Sequence, residues 1–171
     1  MYGERVKNYL REQDVAFEAM DHKPTVGAQS IAQSEHESGW RIAKPVMLKV
    51  GQQLAMAVVP APVRVDLFKV RMGLQRDDVE LASEADFASA FPDCELGAEP
   101  PFGNLYGIPM FIDRSLLGDP YLVFRDGTHH GTLKTSLSDY LRVTRAIQFD
   151  MGVLPPNAPS GALHRDEEAW S

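Results

Sequence analysis

The chain of 171 residues is 44% apolar and 24% charged, with 17 basic and 24 acidic residues for a formal net charge of -7, and it holds one cysteine. One domain of this size buries roughly 70% of its unfolded surface, enough for a core of its own. The balance excludes an internal disulfide, a span of roughly 20 apolar residues across a membrane, and loose adsorption of the whole surface to a polyphosphate.

In chain order, Val6, Tyr9 and Leu10 recur at helical spacing and predict a first amphipathic helix, after which "VAFEAMDH" predicts a short strand. The start "MYGERVKNYL" lacks the apolar centre of a signal peptide, so the expected location is cytoplasmic, with no membrane partner. "TVGAQSIAQSEHESG" predicts a second helix ended by Gly39. "PVMLKV" and "QLAMAVVP", joined through "GQ", predict a hairpin with a tight turn, and "PAPVRVDLFKV" leads into a short helix. "DDVELA" predicts a strand, and Ser83 with Asp86 forms a capping signal for a helix over "EADFASAF". "IPMFID" predicts a strand, and "YLVFRDGTHHGTLKT" predicts two strands about a five-residue turn. Ser136 and Asp139 repeat the capping pattern before "YLRVTRAIQF", predicted as a final helix. The expected organisation is one α+β domain over residues 1–154 with a curved mixed sheet flanked by helices, followed by a flexible tail over 155–171 rich in turn formers.

No phosphate-binding G-x-x-x-x-G-K-[ST], dinucleotide G-x-G-x-x-G, H-E-x-x-H or C-x-x-C is present, so nucleotide hydrolysis, dinucleotide redox chemistry and standard zinc sites have no support. No cofactor and no metal are expected. Cys94 reads as a packed thiol rather than a nucleophile, since no histidine can be paired with it. Lys44 precedes a predicted strand, where it is either an exposed lysine or a fixed cation for a phosphate or ester oxygen. Glu99 is either an acid–base group or an exposed loop carboxylate. Seven basic residues fall within 36 positions from Arg41 to Arg76, with Asp66 the one acid among them. Arg41, Lys49, Arg64, Lys69 and Arg71 are the candidates for a nucleic-acid docking face, against the alternative of a solvated surface.

The most shaped segment is "CELGAEPPFG". Adjacent prolines fix φ and remove two N–H donors, and glycines permit close approach of the backbone. Taken in order, "AKPVMLKV", "AMAVVPAPVRVDL", "ELGAEPPFG", "IPMFIDRSLL" and "GTHHGTLKTS" resemble the YbaK/prolyl-tRNA synthetase-associated domain family over about residues 20 to 145. The resemblance implies hydrolysis of mischarged aminoacyl-tRNA, chiefly alanyl- or cysteinyl-tRNA(Pro), by a free-standing enzyme. It implies an acceptor-end aminoacyl-tRNA as substrate and a tRNA synthetase as candidate partner, with the oligomeric state open. It also implies that Lys44 is needed for activity and that the G-x-x-x-P loop, Gly97, Ala98, Glu99, Pro100 and Pro101, lies against the terminal adenosine and ester. Phe102, Gly103, Asp113 and Thr128 fall with the same motifs as substrate-binding candidates. His129 is the catalytic candidate, though either His129 or His130 can be the aligned residue. Amides of Gly97 and Ala98 are the expected oxyanion donors. Pro45 departs from the threonine or asparagine that follows the lysine in many members, which puts the amino acid removed in doubt.

Overall fold

The chain enters the fold through α1 (Glu4–Glu12), whose apolar stripe buries Val6 and Leu10. The computed structural model describes residues 2–21 and 39–155. The helix predicted from residue 25 to Gly39 and the tail after Pro155 lie outside them, save for the glycine and Pro155 themselves. Next come β1 (Phe17–Asp21), then β2 (Ala43–Val50) and β3 (Gln53–Pro60), the hairpin expected about Gly51 and Gln52. Gly51 adopts φ 64°, the left-handed geometry that a two-residue turn requires. A short β4 (Arg64–Val65) leads to α2 (Leu67–Leu74), capped by Asp66, whose carboxylate accepts from the Phe68 N–H.

β5 (Val79–Leu81) precedes α3 (Glu84–Phe87). Here the Ser83 hydroxyl accepts from the Asp86 N–H at 3.2 Å, and the Asp86 carboxylate accepts from the Ser83 N–H at 2.8 Å, the reciprocal cap expected from the spacing. The helix is shorter than predicted, giving way to a 3-10 turn over Ala88–Ala90. β6 (Met110–Asp113), β7 (Tyr121–Arg125) and β8 (Gly131–Ser136) follow, with five residues between the last two. α4 (Leu137–Thr144) is capped by Ser136.

The predicted last helix ends sooner than its periodicity suggests. Arg145 takes φ 52°, and Ile147–Phe149 forms β9, a strand parallel to β6, before β10 (Gly152–Val153). Ile147, Gln148 and Phe149 satisfy a helical and a strand pattern alike, and pairing with the open edge of β6 decides the outcome.

Among the described residues three sheets result: β1-β8-β7, β5-β2-β3-β6-β9, and the pair β10-β4. The five-stranded sheet is mixed, because β3, β6 and β9 run parallel and the rest of its pairs are antiparallel. A bridge from Ile42 to Val123 ties β7 to the start of β2. β3 reads as a continuous apolar run because both of its faces are covered. Met56 and Val58 point into one core with Phe102, Phe124, Leu133 and Tyr140, and Ala55, Ala57 and Val59 into a second with Val70, Phe111 and Met151.

Candidate active site

The loop from Pro92 to Gly103 is held by the backbone of its own chain and by two distant elements. Gly97 sits at φ 86°, a conformation that side chains strain to adopt, so the glycine is dictated by the backbone. Its N–H donates to Oε1 of Glu99 at 3.1 Å, and the Ala98 N–H donates to the Glu95 carbonyl at 3.0 Å. Both expected oxyanion donors are thus bonded inside the loop, a correction to the sequence reading. Two further bonds fasten the loop to the β7–β8 turn. The Glu95 N–H donates to the Gly127 carbonyl at 2.8 Å, and His129 Nε2 lies 2.9 Å from the Leu96 carbonyl.

The third anchor is Tyr140 of α4, fully buried, whose hydroxyl donates to the Pro101 carbonyl at 2.6 Å. Burial pushes this phenol far above its ordinary pKa, so it remains a donor at every working pH. Tyr140→Phe is expected to cost about 1–3 kcal/mol by leaving the carbonyl without its partner. That corresponds to a fall of roughly 2–12 °C in the thermal midpoint, readable by calorimetry.

His129 faces the loop: a β-carbon added at Gly97 would lie 3.6 Å from its Cε1. A carbonyl only accepts, so Nε2 carries the proton toward Leu96 and the neutral ring's lone pair is on Nδ1. Glu95 Oε2 is 4.0 Å from the same Nε2. His130 points elsewhere, with Nδ1 at 3.4 Å from Asp21.

Other candidates have packing tasks. Phe102 is buried among Tyr9, Phe124 and Tyr140, with ring centroids 6.3, 5.1 and 5.2 Å away. A β-carbon on Gly103 would meet the Ile108 carbonyl at 2.8 Å, so that glycine makes room for its own chain. Asp113, expected near the substrate, is 1% exposed; it caps the turn at Ser115 through that residue's N–H and hydroxyl, and accepts from the Met151 N–H. The Thr128 hydroxyl donates to Asp126 at 2.7 Å and accepts from the Gly131 N–H at 2.9 Å, which shapes the turn that carries His129. Ala98, Pro100 and Pro101 of the loop are themselves buried. The half-buried Cys94 thiol is pushed up to about 11, first by burial and then by Asp93 and Glu99, against an opposing bond with Tyr106, so it stays protonated and non-nucleophilic at neutral pH.

Lys44 opens β2 opposite Val59, on the strand face that carries Val46 and Leu48. Its ammonium donates to the Ala61 carbonyl at 2.9 Å, and burial lowers its pKa from 10.5. It lines a groove of about 650 Å³ with Val63, Arg64, Asp66 and Phe68. No described bond joins it to the Gly97 loop, which packs through Phe91 and Phe102 in the core under the other face of the sheet. Among the expected docking residues, Arg41 pairs with Asp119 at 3.7 Å, Lys49 with Asp86 at 3.9 Å, and Lys69 with Asp150 at 3.5 Å. Arg71 clasps the Val79 carbonyl at 2.8 Å. Arg64 is exposed, and its side chain has no hydrogen bond or ion pair among the described residues.

A mixed sheet, a glycine–proline loop pinned to a histidine-bearing turn, and a partly buried lysine at a strand end are the features of this α+β domain. The chain belongs to the aminoacyl-tRNA editing domain family, whose profile matches residues 22–143, and its activity is that of an aminoacyl-tRNA deacylase. The fold is similar to a protein described as a candidate trans-editing enzyme for prolyl-tRNA synthetase, at 20% identity and a TM-score of 0.76, over 88% of this chain and 96% of that one. The hypothetical protein APE2540 aligns at 19% identity with a TM-score of 0.78, over 86% and 99% of the two chains. A candidate signal transduction protein from Marinobacter aquaeolei VT8 aligns at 17% identity and a TM-score of 0.71, over 96% of this chain and 35% of that longer one. The search of curated proteins gives no match. Among the described residues no helix is long and apolar enough to cross a membrane.

Proposed function

We propose that the protein hydrolyses tRNA carrying a small wrong amino acid, alanine or cysteine on tRNA(Pro) foremost, as an editing enzyme of the cytoplasm. The observation that carries this reading is the complete Gly97–Pro101 loop, fixed to His129 through Leu96 and to α4 through Tyr140. The neighbour named for prolyl-tRNA synthetase supports tRNA(Pro), and a synthetase, as partners. Residues 1–154 are the working domain in this reading, and 155–171 a tail appended to it.

In the proposed step, a water held by the substrate's own 2'-hydroxyl attacks the ester carbonyl while His129 Nδ1 accepts its proton. The C–O bond to the ribose 3'-oxygen then breaks, and that oxygen takes the proton back. Because Lys44 belongs to the face away from the loop's anchors, it suits the acceptor-end phosphate better than the reacting oxygen. Pocket size has to exclude the correct amino acid sterically, since one methylene in an apolar pocket changes binding by only about 1–3 kcal/mol.

The test is release of amino acid from tRNAs charged with alanine, cysteine, serine and proline. Turnover of one small mischarged species, with cognate prolyl-tRNA spared, is the expected result; a folded protein inert on the whole panel overturns the reading. Arg64, exposed at the rim of the Lys44 groove, is the docking cation expected to matter most. Arg64→Ala should weaken tRNA binding and reduce the slope of log affinity against log salt by about 0.7–0.9, whereas Lys49→Ala, whose charge already faces Asp86, should change it less.

The same folded unit within a longer signal transduction candidate favours a second reading, a module that holds an aminoacyl-adenosine-like ligand without turnover. Binding of a non-hydrolysable aminoacyl-adenosine with no release on the panel would select it.

A further inference from the structure

Glu99 has an environment unusual for a loop carboxylate. It is only 7% exposed, and Oε1 accepts the Gly97 N–H at 3.1 Å. Oε2 has no hydrogen bond among the described residues and is not among the described side-chain atoms sealed from solvent without a partner. No lysine, arginine or histidine of the described residues lies within ion-pairing distance of it. Two further carboxylates flank the loop: Asp93, 3.9 Å from Arg5, and Glu95, 4.0 Å from His129 Nε2.

A carboxylate this far removed from water is costly unless a cation meets it. No such cation stands among the described residues, and the substrate class supplies one. Every aminoacyl ester carries an α-ammonium one carbon from its scissile carbonyl, so the group that holds the ammonium also aims the ester. Gly97, bonded to the same carboxyl group and under His129, is where the ester is expected.

Resting on the deacylase reading, we infer that Glu99 binds the α-ammonium of the aminoacyl group and restricts the enzyme to esters with a free amino group. Oε1 keeps the loop closed on Gly97 while Oε2 receives the ammonium, so no rearrangement of the loop is needed. N-blocked and α-hydroxy acyl esters are rejected because they leave the buried charge uncompensated.

The test compares two acceptor-end esters, 3'-O-alanyl and 3'-O-lactyl, which differ by a hydroxyl in place of the ammonium. Each is offered to wild type and to Glu99→Gln, whose amide oxygen can still accept from Gly97 but carries no charge. After subtraction of spontaneous hydrolysis, wild type is expected to favour the alanyl ester by about tenfold or more, and Glu99→Gln to fall to within about threefold of parity. No preference in wild type, or a preference retained by Glu99→Gln, overturns the inference. An equal loss on both esters also overturns it, by reducing Glu99 to a brace of the loop. If wild type hydrolyses neither ester, the deacylase reading has failed instead, and binding of 3'-alanylamino- and 3'-lactoylamino-adenosine decides the ammonium question by the same ratio. Thermal midpoints of both proteins identify a variant that loses activity by unfolding.

Discussion

Replacing Lys44 by alanine is expected to lower kcat/KM for deacylation by roughly 10- to 150-fold, the range of one charge-assisted hydrogen bond to a phosphate. The fold should survive. The ammonium has a single described protein partner, the Ala61 carbonyl, and its side chain fills no core. Its lowered pKa sets the pH dependence. The cation, not the amine, binds phosphate, so activity should decline as pH rises through the Lys44 pKa, with an alkaline limb below the 10.5 of an ordinary lysine. The sign for stability is opposite: a pKa depressed on folding disfavours the protonated native state, so this residue's penalty is full at neutral pH and diminishes as pH rises. Loss of the alkaline limb in Lys44→Ala, measured on the same mischarged tRNA, checks the assignment. A variant with wild-type rates at every pH would remove Lys44 from the site.

The second large effect is expected at Gly131, and it is one of stability. A β-carbon there would stand 2.6 Å from Cγ of Asp126 and overlap its Oδ2. Asp126 cannot simply turn aside. It is 5% exposed, accepts the Thr128 N–H at 2.9 Å and the Thr128 hydroxyl at 2.7 Å, and lies 3.7 Å from the Lys7 ammonium. Gly131→Ala must either break this network or push the β7–β8 turn outward, at a cost of about 2–4 kcal/mol. The thermal midpoint should fall by roughly 4–16 °C. Because the same turn carries His129 and receives the Glu95 N–H, deacylation measured well below the new midpoint should fall as well. A midpoint within 2 °C of wild type, a margin about that of a half-kcal/mol change, would show that the turn accommodates the methyl group.

Local chemistry made some of this legible in advance. The hairpin of β2 and β3 needs only Gly51 between two apolar runs, and the reciprocal cap of Ser83 and Asp86 needs only a spacing of three. The stiffness of the Gly97–Pro101 loop likewise follows from its composition. Its partners do not, because Leu96 meets His129 33 positions later and Pro101 meets Tyr140 39 positions later. No local pattern encodes those contacts. Glu99 shows the same limit in reverse: a glutamate between turn formers reads as solvated, and its burial arises from a fold that closes over it. Phe102 and Asp113 fell beside motif residues in sequence, yet the core and the Met151 amide claim them. The strand at Ile147 was hidden because its residues suit a helix equally well until β6 presents an edge.

The parallel pairing of β3 with β6, and of β6 with β9, also bears on how the molecule assembles. The β2–β3 hairpin can close as soon as it is synthesised, but β3 gains its other neighbour only after residues 110–113 have emerged, and β6 only after 147–149. Contacts this far apart in sequence slow the closing steps of folding. Until Ile147–Phe149 docks, a nascent or truncated chain presents the unpaired edge of β6, an apolar strand suited to adding a strand from another chain. β9 thus acts as a guard against self-association while the domain is being made.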